Sequence, residues 1–206
     1  MKILELQLET HCLNELKTFY TQTLELPLLK EQKRYFVFQA GMTTVKFSQA
    51  PKEDQPYYHF AFNIPENQLK EAKAWLSGRV KLIEKDGMDE FRHETWNADA
   101  VYFYDPAGNI VEFIARHNLK NRSDEPFSGK SILSLSEIGY PVEDVRLFSA
   151  HIKQELSLRL WDGDEKQFAA VGDEEGLFII VTQKRGWFPV DKPAETHPVV
   201  VDVSSE

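Results

Sequence analysis

The sequence predicts an α+β fold built from repeated βαβββ modules, and three observations carry that prediction. The order strand, helix and three strands recurs three times along the 206 residues. Each first strand places a polar residue at the same point, in Glu5-Leu6-Gln7-Leu8, His59-Phe60-Ala61-Phe62 and Glu137-Ile138-Gly139-Tyr140. The stretch from Tyr102 to Phe113 reads as two short strands around a tight turn, with one carboxylate, Glu112, among apolar neighbours.

In the first unit, Ile3 to Glu9 alternates, with Leu4, Leu6 and Leu8 on one face and Ile3, Glu5, Gln7 and Glu9 on the other, so a half-buried strand is expected. Leu13, Leu16, Tyr20 and Leu24 recur at near-helical spacing, and Leu26-Pro27 closes that helix, because the residue before proline is pushed out of the α region. Leu28-Leu29, Tyr35 to Phe38 and Thr43 to Phe47 complete the unit as antiparallel strands broken by Gln32-Lys33-Arg34 and Gly41.

The second unit follows the polar link Pro51 to Pro56. Tyr58, Phe60, Phe62 and Ile64 form one face of its first strand and Tyr57, His59, Ala61 and Asn63 the other; Pro65-Glu66-Asn67 opens a helix that Ser77-Gly78 ends. Strands are expected near Val80 to Ile83, Val101 to Tyr104 and Ile110 to Ala115, with Glu84 to Asp99 as a charged excursion. Asp105-Pro106 and Gly108-Asn109 supply the turn residues, and strand alternation sets Ile110, Glu112, Ile114 and Arg116 opposite Val111, Phe113 and Ala115. The third unit, after the linker Asn118 to Lys130, has a strand at Ile132 to Tyr140, a helix at Val142 to Leu156, and strands near Leu158, Phe168 and Leu177; Pro198 to Val203 is one further strand.

A net charge of -9 argues against nucleic-acid backbones and anionic membranes as partners and leaves a small molecule as the expected one. The single cysteine, Cys12, allows no internal disulfide, and neither a leader nor a membrane-length apolar run is present, so a cytoplasmic protein is expected.

If the first two units, residues 1–117, pair into one open cup, Glu5, His59 and Glu112 face a common interior, with Lys46 as a fourth inward group. The third module with its extra strand, residues 131–206, is then half of a second such domain, completed either by the same unit of a neighbouring chain in a homodimer or by packing over the first cup with Trp187-Phe188 as a lid.

Phe19-Tyr20, Tyr58 to Phe62 and Tyr102 to Phe113 together resemble the vicinal-oxygen-chelate superfamily of glyoxalase I, bleomycin-resistance proteins, fosfomycin-resistance transferases and extradiol dioxygenases. The resemblance implies that His59 and Glu112 are metal ligands, that Glu5 takes the place of a first-strand histidine, and that Lys46 takes that of a second glutamate. A His/Glu/Glu set suits Mn²⁺, Fe²⁺, Ni²⁺ or Zn²⁺. The activity implied is Lewis-acid catalysis on a small substrate with two adjacent oxygens, of lyase, transferase or dioxygenase type, with Tyr102 or Lys46 as a donor. The alternative is a metal-free small-molecule binder of the same fold, which Lys46 and the absent histidine favour.

Each of these residues also has a plainer reading: Glu112 as a buried salt-bridge acid, His59 as a satisfied strand histidine, Glu5 as a solvated strand face. Glu137 finds no partner, since Ile180 and Pro198 stand where Lys46 and His59 stand in the other units, and it is read as structural. His11, His93, His117 and His151 read as exposed, His197 as out of phase, and Trp187-Phe188-Pro189 as packing or an interface.

Overall fold

The protein, described here over residues 1–204 of a computed structural model, contains three βαβββ units and a terminal strand. The last two residues of the expected 131–206 segment lie outside the described residues. The first unit comprises β1 (Lys2–Thr10), α1 (Leu13–Thr18), β2 (Leu28–Gln32), β3 (Tyr35–Ala40) and β4 (Thr43–Gln49). The second comprises β5 (His59–Ile64), α2 (Leu69–Leu76), β6 (Phe91–His93), β7 (Ala98–Tyr104) and β8 (Ile110–Arg116). The third comprises β9 (Ser134–Val142), α3 (Val145–Glu155), β10 (Leu160–Gly163), β11 (Phe168–Asp173) and β12 (Gly176–Thr182). A strap carrying the small hairpin β13 (Gly186–Trp187) and β14 (Lys192–Pro193) leads to β15 (Val199–Ser204).

The pairing of units departs from the expectation. The second and third units join through their first strands, β5 antiparallel to β9, in an eight-stranded cup of order β10-β11-β12-β9-β5-β8-β7-β6. The first unit forms a separate five-stranded sheet, β15-β1-β4-β3-β2, in which β15 pairs antiparallel with β1. The hydrogen-bonded sheet thus runs across the 118–130 linker where a boundary between domains 1–117 and 131–206 was expected. The third unit's partner is in its own chain, which removes the reason for expecting a second copy to complete it. Periodicity could not decide this, because every unit offers an equivalent first strand to pair.

Local chemistry accounts for most elements. Behind α1 the chain widens into a looser turn over Phe19–Thr23, where the Leu24 amide reaches the Phe19 carbonyl at 2.9 Å, and this brings Leu16, Tyr20 and Leu24 onto one buried face. Tyr20 stacks on Phe38 at 4.6 Å, in a cluster where each fully buried large apolar side chain contributes about 1.5–3 kcal/mol. Gly78, at φ +80°, follows α2 in the left-handed region that glycine occupies without steric cost. The strand expected at Val80 to Ile83 is only a bridge between Leu82 and Phe103, and the third ladder of the second unit is instead β6, inside the segment read as a loop. Charged flanks hide β6 in the sequence, since only Phe91 and His93 alternate.

In β1 a bulge at Leu4 breaks the expected alternation, so Ile3, Leu6 and Leu8 are buried while Leu4 is 40% exposed. The turn between β7 and β8 is built as its residues require. The buried Asp105 carboxylate accepts hydrogen bonds from the Tyr20 hydroxyl (2.6 Å), the amides of Ala107 and Asn109 (2.9 and 3.0 Å) and the Asn109 side-chain amide (2.7 Å). The Asn109 side-chain oxygen accepts from the Tyr58 amide, tying the turn to the start of β5 and fixing β5 beside β8. No helix among the described residues is long and apolar enough to cross a membrane.

Candidate metal centre in the cup

On β5 and β8 the side chains alternate between two apolar clusters. Phe60, Phe62, Val111 and Phe113 enter the core shared by both sheets and the helices. Ala61, Ile110 and Ile114 belong to the cluster on the other face of the cup. His59 and Glu112 lie on that same face, at adjacent strands in parallel register. Across the unit boundary, β9 brings Glu137 opposite Ala61. The ligand-capable atoms of His59, Glu112 and Glu137 all lie within 4.8 Å of one another, and all three residues are buried.

The environment prepares these groups as ligands. His59 Nδ1 lies 3.1 Å from the Ile110 carbonyl oxygen, which can only accept, so Nδ1 carries the proton and Nε2 presents its lone pair toward Glu112, 3.7 Å away. Burial, opposed by that backbone bond, pushes the imidazole down to about 4, so it is neutral and its contact with Glu112 is not an ion pair. Burial first, and then the neighbouring Glu137 carboxylate, push Glu112 well above the usual carboxylate range. Burial raises Glu137 too, against the pull of Arg116.

Arg116, at 0% exposure, ends β8 on the same face. Its Nη2 donates to Glu137 Oε1, and Nε and Nη2 both lie 3.2 Å from the Ser136 hydroxyl. Adjacent strand residues normally point to opposite faces; a bulge in β9 at Ser136 lets both Ser136 and Glu137 reach one guanidinium. Arg116 leaves the second Glu137 oxygen available, and a carboxylate ligand held this way from behind is a usual arrangement. The donor set of one neutral imidazole and two carboxylates, one backed by Arg116, therefore fits a borderline divalent cation.

Tyr102 stands opposite Glu112 on β7, and its hydroxyl lies 3.0 Å from His93 Nε2. Burial and then Glu112 push the phenol well up, so it stays a neutral donor. A cavity of about 620 Å³ opens over this floor between the two units, within the range of small-molecule sites. Phe91, Trp96, Phe168, Trp187 and Phe188 form its aromatic walls. The strap supplies Trp187, whose ring sits 5.0 Å from that of His59, and Phe188, 5.7 Å from Tyr102.

Of the residues expected at a site, the cup brings together His59, Glu112 and Tyr102. Glu5 and Lys46 lie in the five-stranded sheet, where the Gln7 side chain donates to Glu5 (2.7 Å) and accepts from Lys46 (3.2 Å). The two sheets correspond strand for strand: β1 matches β9, β4 matches β12 and β15 matches β5. Glu5 then stands where Glu137 stands, Lys46, opposite Gln7, where Ile179 stands opposite Gly139, and Val200 where His59 stands. With valine at the histidine position the first sheet lacks its imidazole. Glu137, set aside from the sequence for want of a partner, is the third member, and its position level with His59 in the repeat was the available signal. His93, read as exposed, lines the cavity. Alternation alone sets Arg116 on the same face as Glu112, and the structure adds its role.

No protein-family model matches the chain, and no curated protein matches it. Solved structures do. A Bacillus subtilis subsp. subtilis str. 168 protein described as a "putative dioxygenase" superposes with a TM-score of 0.65 at 17% identity, covering 98% of this chain and 69% of its own. Glyoxalase I from Zea mays gives 0.56 at 17% identity over 88% of this chain and 69% of its own, and its V278E mutant gives 0.59 over 94% and 70%. The chain spans a little over two thirds of the length of these structures. It has the fold of the vicinal-oxygen-chelate superfamily, paired βαβββ units around an open cup.

Proposed function

We propose that the chain is a metal-dependent enzyme that acts on a small substrate carrying two adjacent oxygens, with His59, Glu112 and Glu137 as the protein ligands of a divalent ion. One observation carries this reading: three buried ligand-capable side chains from three strands and two units converge within 4.8 Å, with the imidazole already in the tautomer a metal requires. Such an ion supplies Lewis acidity toward substrate oxygens. The chain's own groups do the rest. Tyr102, kept neutral by burial, can donate a hydrogen bond to an oxygen that gains negative charge. The aromatic walls and strap exclude water and orient a flat substrate. Glyoxalase I and the "putative dioxygenase" among the similar structures support a lyase or dioxygenase type of chemistry. A transferase remains the third type within the same reading, and the set of Mn²⁺, Fe²⁺, Ni²⁺ and Zn²⁺ is carried over from the donor types.

One specific observation favours a second reading. The Arg116–Glu137 ion pair neutralises one carboxylate within the cluster, which would suit a metal-free binding cup. Metal content separates the two. Protein loaded with Mn²⁺, Fe²⁺, Ni²⁺ or Zn²⁺ and desalted is expected to hold close to one equivalent by elemental analysis, lost in His59→Ala and Glu112→Ala and weakened about 10–100-fold in Arg116→Met, which removes the group orienting a ligand. Glu5→Ala and Lys46→Ala should hold metal like the parent. Absence of bound metal from the parent protein under every loading condition would sink the enzyme reading in favour of the binder.

A further inference from the structure

We infer that the cavity takes a planar aromatic anion, with its ring between the aromatic walls and its acidic group on Arg185. This deepens the reading of the cavity as the substrate site and does not depend on the metal.

Most charges at the cavity mouth are already used. Asp162 accepts from the Trp96 indole N–H at 2.6 Å and from the Gly163 amide at 2.7 Å. Glu90 lies 3.7 Å from Lys73. Arg92 is held by Asn97 at 2.8 Å, Asp99 at 3.4 Å and Glu94 at 3.5 Å. Arg185 differs from all of these. It lines the cavity, its guanidinium sits 5.4 Å from the Phe168 ring centroid, and among the described residues it makes no side-chain hydrogen bond or ion pair. A guanidinium beside an aromatic ring and without an acidic partner has its fork of N–H donors free to receive a carboxylate in bidentate fashion.

The walls select the rest of the ligand. Trp96 and Phe168 face each other at an interplanar angle of 30°, with ring centroids 6.5 Å apart, and the indole is fixed by its bond to Asp162 on the opposite unit. Phe188 meets Phe91 edge-on at 5.1 Å. Rings held this way by their neighbours favour a flat ligand, since offset stacking and edge contacts add to its apolar burial. Arg116 lies 5.3 Å from the Trp96 ring centroid, so a cation already packs against the indole that lines the cavity.

The test uses metal-free protein in chelator, with phenylacetate, phenylacetamide and cyclohexylacetate as probes in NMR titrations. Phenylacetate should bind about tenfold more tightly than phenylacetamide, from one charge-assisted pair. Arg185→Gln should remove that difference by weakening phenylacetate alone, and cyclohexylacetate should bind more weakly than phenylacetate. Equal binding of acid and amide, an unchanged acid affinity in Arg185→Gln, no preference for the aromatic ring, or no binding of phenylacetate to the parent protein would each overturn the inference. Arg185 is exposed, so its replacement leaves the fold intact. Chelator is present throughout, so these outcomes stand apart from the metal content of the His59 and Glu112 variants.

Discussion

His59 shows how one side chain links position, protonation and stability. An unfolded histidine titrates near 6.5, whereas burial holds His59 at about 4 in the folded protein. The folded pKa is depressed, so the neutral form is favoured by folding. That contribution is fully present above pH 6.5 and is lost as pH falls through about 4, because the unfolded chain takes up a proton the folded one resists. The 2.5-unit difference between 6.5 and 4 corresponds to about 3 kcal/mol of stability at neutral pH that is absent at acid pH. In urea denaturation with chelator present, the parent should lose that much more stability between pH 7.5 and pH 4 than His59→Gln does. An equal loss in the two proteins would show that His59 titrates normally. His59 and Glu112 were legible in the sequence because alternation set Glu112 opposite Val111 and Phe113, the repeated first strands singled out His59, and the resemblance matched both to ligand positions. It left Glu137 without a role because a ligand is recognised by its partners, and those partners come from a unit pairing that alternation does not encode. Arg116 was legible in direction but not in purpose, since its acceptors Ser136 and Glu137 reach it through a bulge.

At the level of the element, the strap between β12 and β15 is what turns an open cup into a walled cavity. Its polar ties reach three parts of the cup: Tyr57 donates to the Pro193 carbonyl, Lys192 to that of Gly108 at 3.0 Å, and Thr196 to that of Pro141 at 2.6 Å. Its apolar anchor is Trp187, seated against His59 and over Gly139. A Cβ built at Gly139 would stand 2.6 Å from Cη2 of Trp187 and 3.1 Å from the His59 carbonyl oxygen. Glycine is therefore required there by close approach. Gly139→Ala should displace the indole, destabilise the protein by about 1–3 kcal/mol and expose Trp187 to solvent, seen as red-shifted fluorescence. Trp187→Phe, with a shorter ring, should recover part of that loss in the double variant, since contacting residues couple. Full additivity of the two changes would show that the strap is anchored elsewhere. The sequence pointed to Trp187-Phe188 as a lid or an interface, and the strap's own periodicity is too short to choose. The element that was missed altogether, β6, contributes His93 and Phe91 to the same cavity, and three residues are too few for an alternation to stand out from charged flanks.

For the whole molecule, the question is whether two sheets of unequal size behave as two folding units. Their packing says that they do not. One apolar cluster runs from Leu6, Phe36 and Phe47 in the first sheet to Phe60, Phe113 and Phe178 in the second. Backbone joints reinforce it. The turn between β3 and β4 meets the segment entering β9, where the Met42 amide donates to the Leu133 carbonyl at 2.8 Å and a Cβ at Gly41 would lie 1.9 Å from that oxygen. The buried Thr43 hydroxyl donates to the Ile3 carbonyl at 2.6 Å and accepts from the Leu135 amide at 3.0 Å, so a single side chain bonds both sheets. At the other end, the amine of Met1 pairs with Asp173 at the end of β11. Thr43→Val keeps the shape and removes both bonds, leaving a buried carbonyl and a buried amide without their partner. Each such loss costs about 1–3 kcal/mol, so a total of roughly 2–6 kcal/mol is expected. Calorimetry of the parent should show one transition whose calorimetric and van't Hoff enthalpies agree. In Thr43→Val that single transition should move down as a whole, by about 2–4 °C per kcal/mol for a chain of this size. Two separable transitions, with only one shifted by the substitution, would mean that the five-stranded sheet and the cup fold independently, dividing the chain at the 51–56 link and the strap rather than near residue 117.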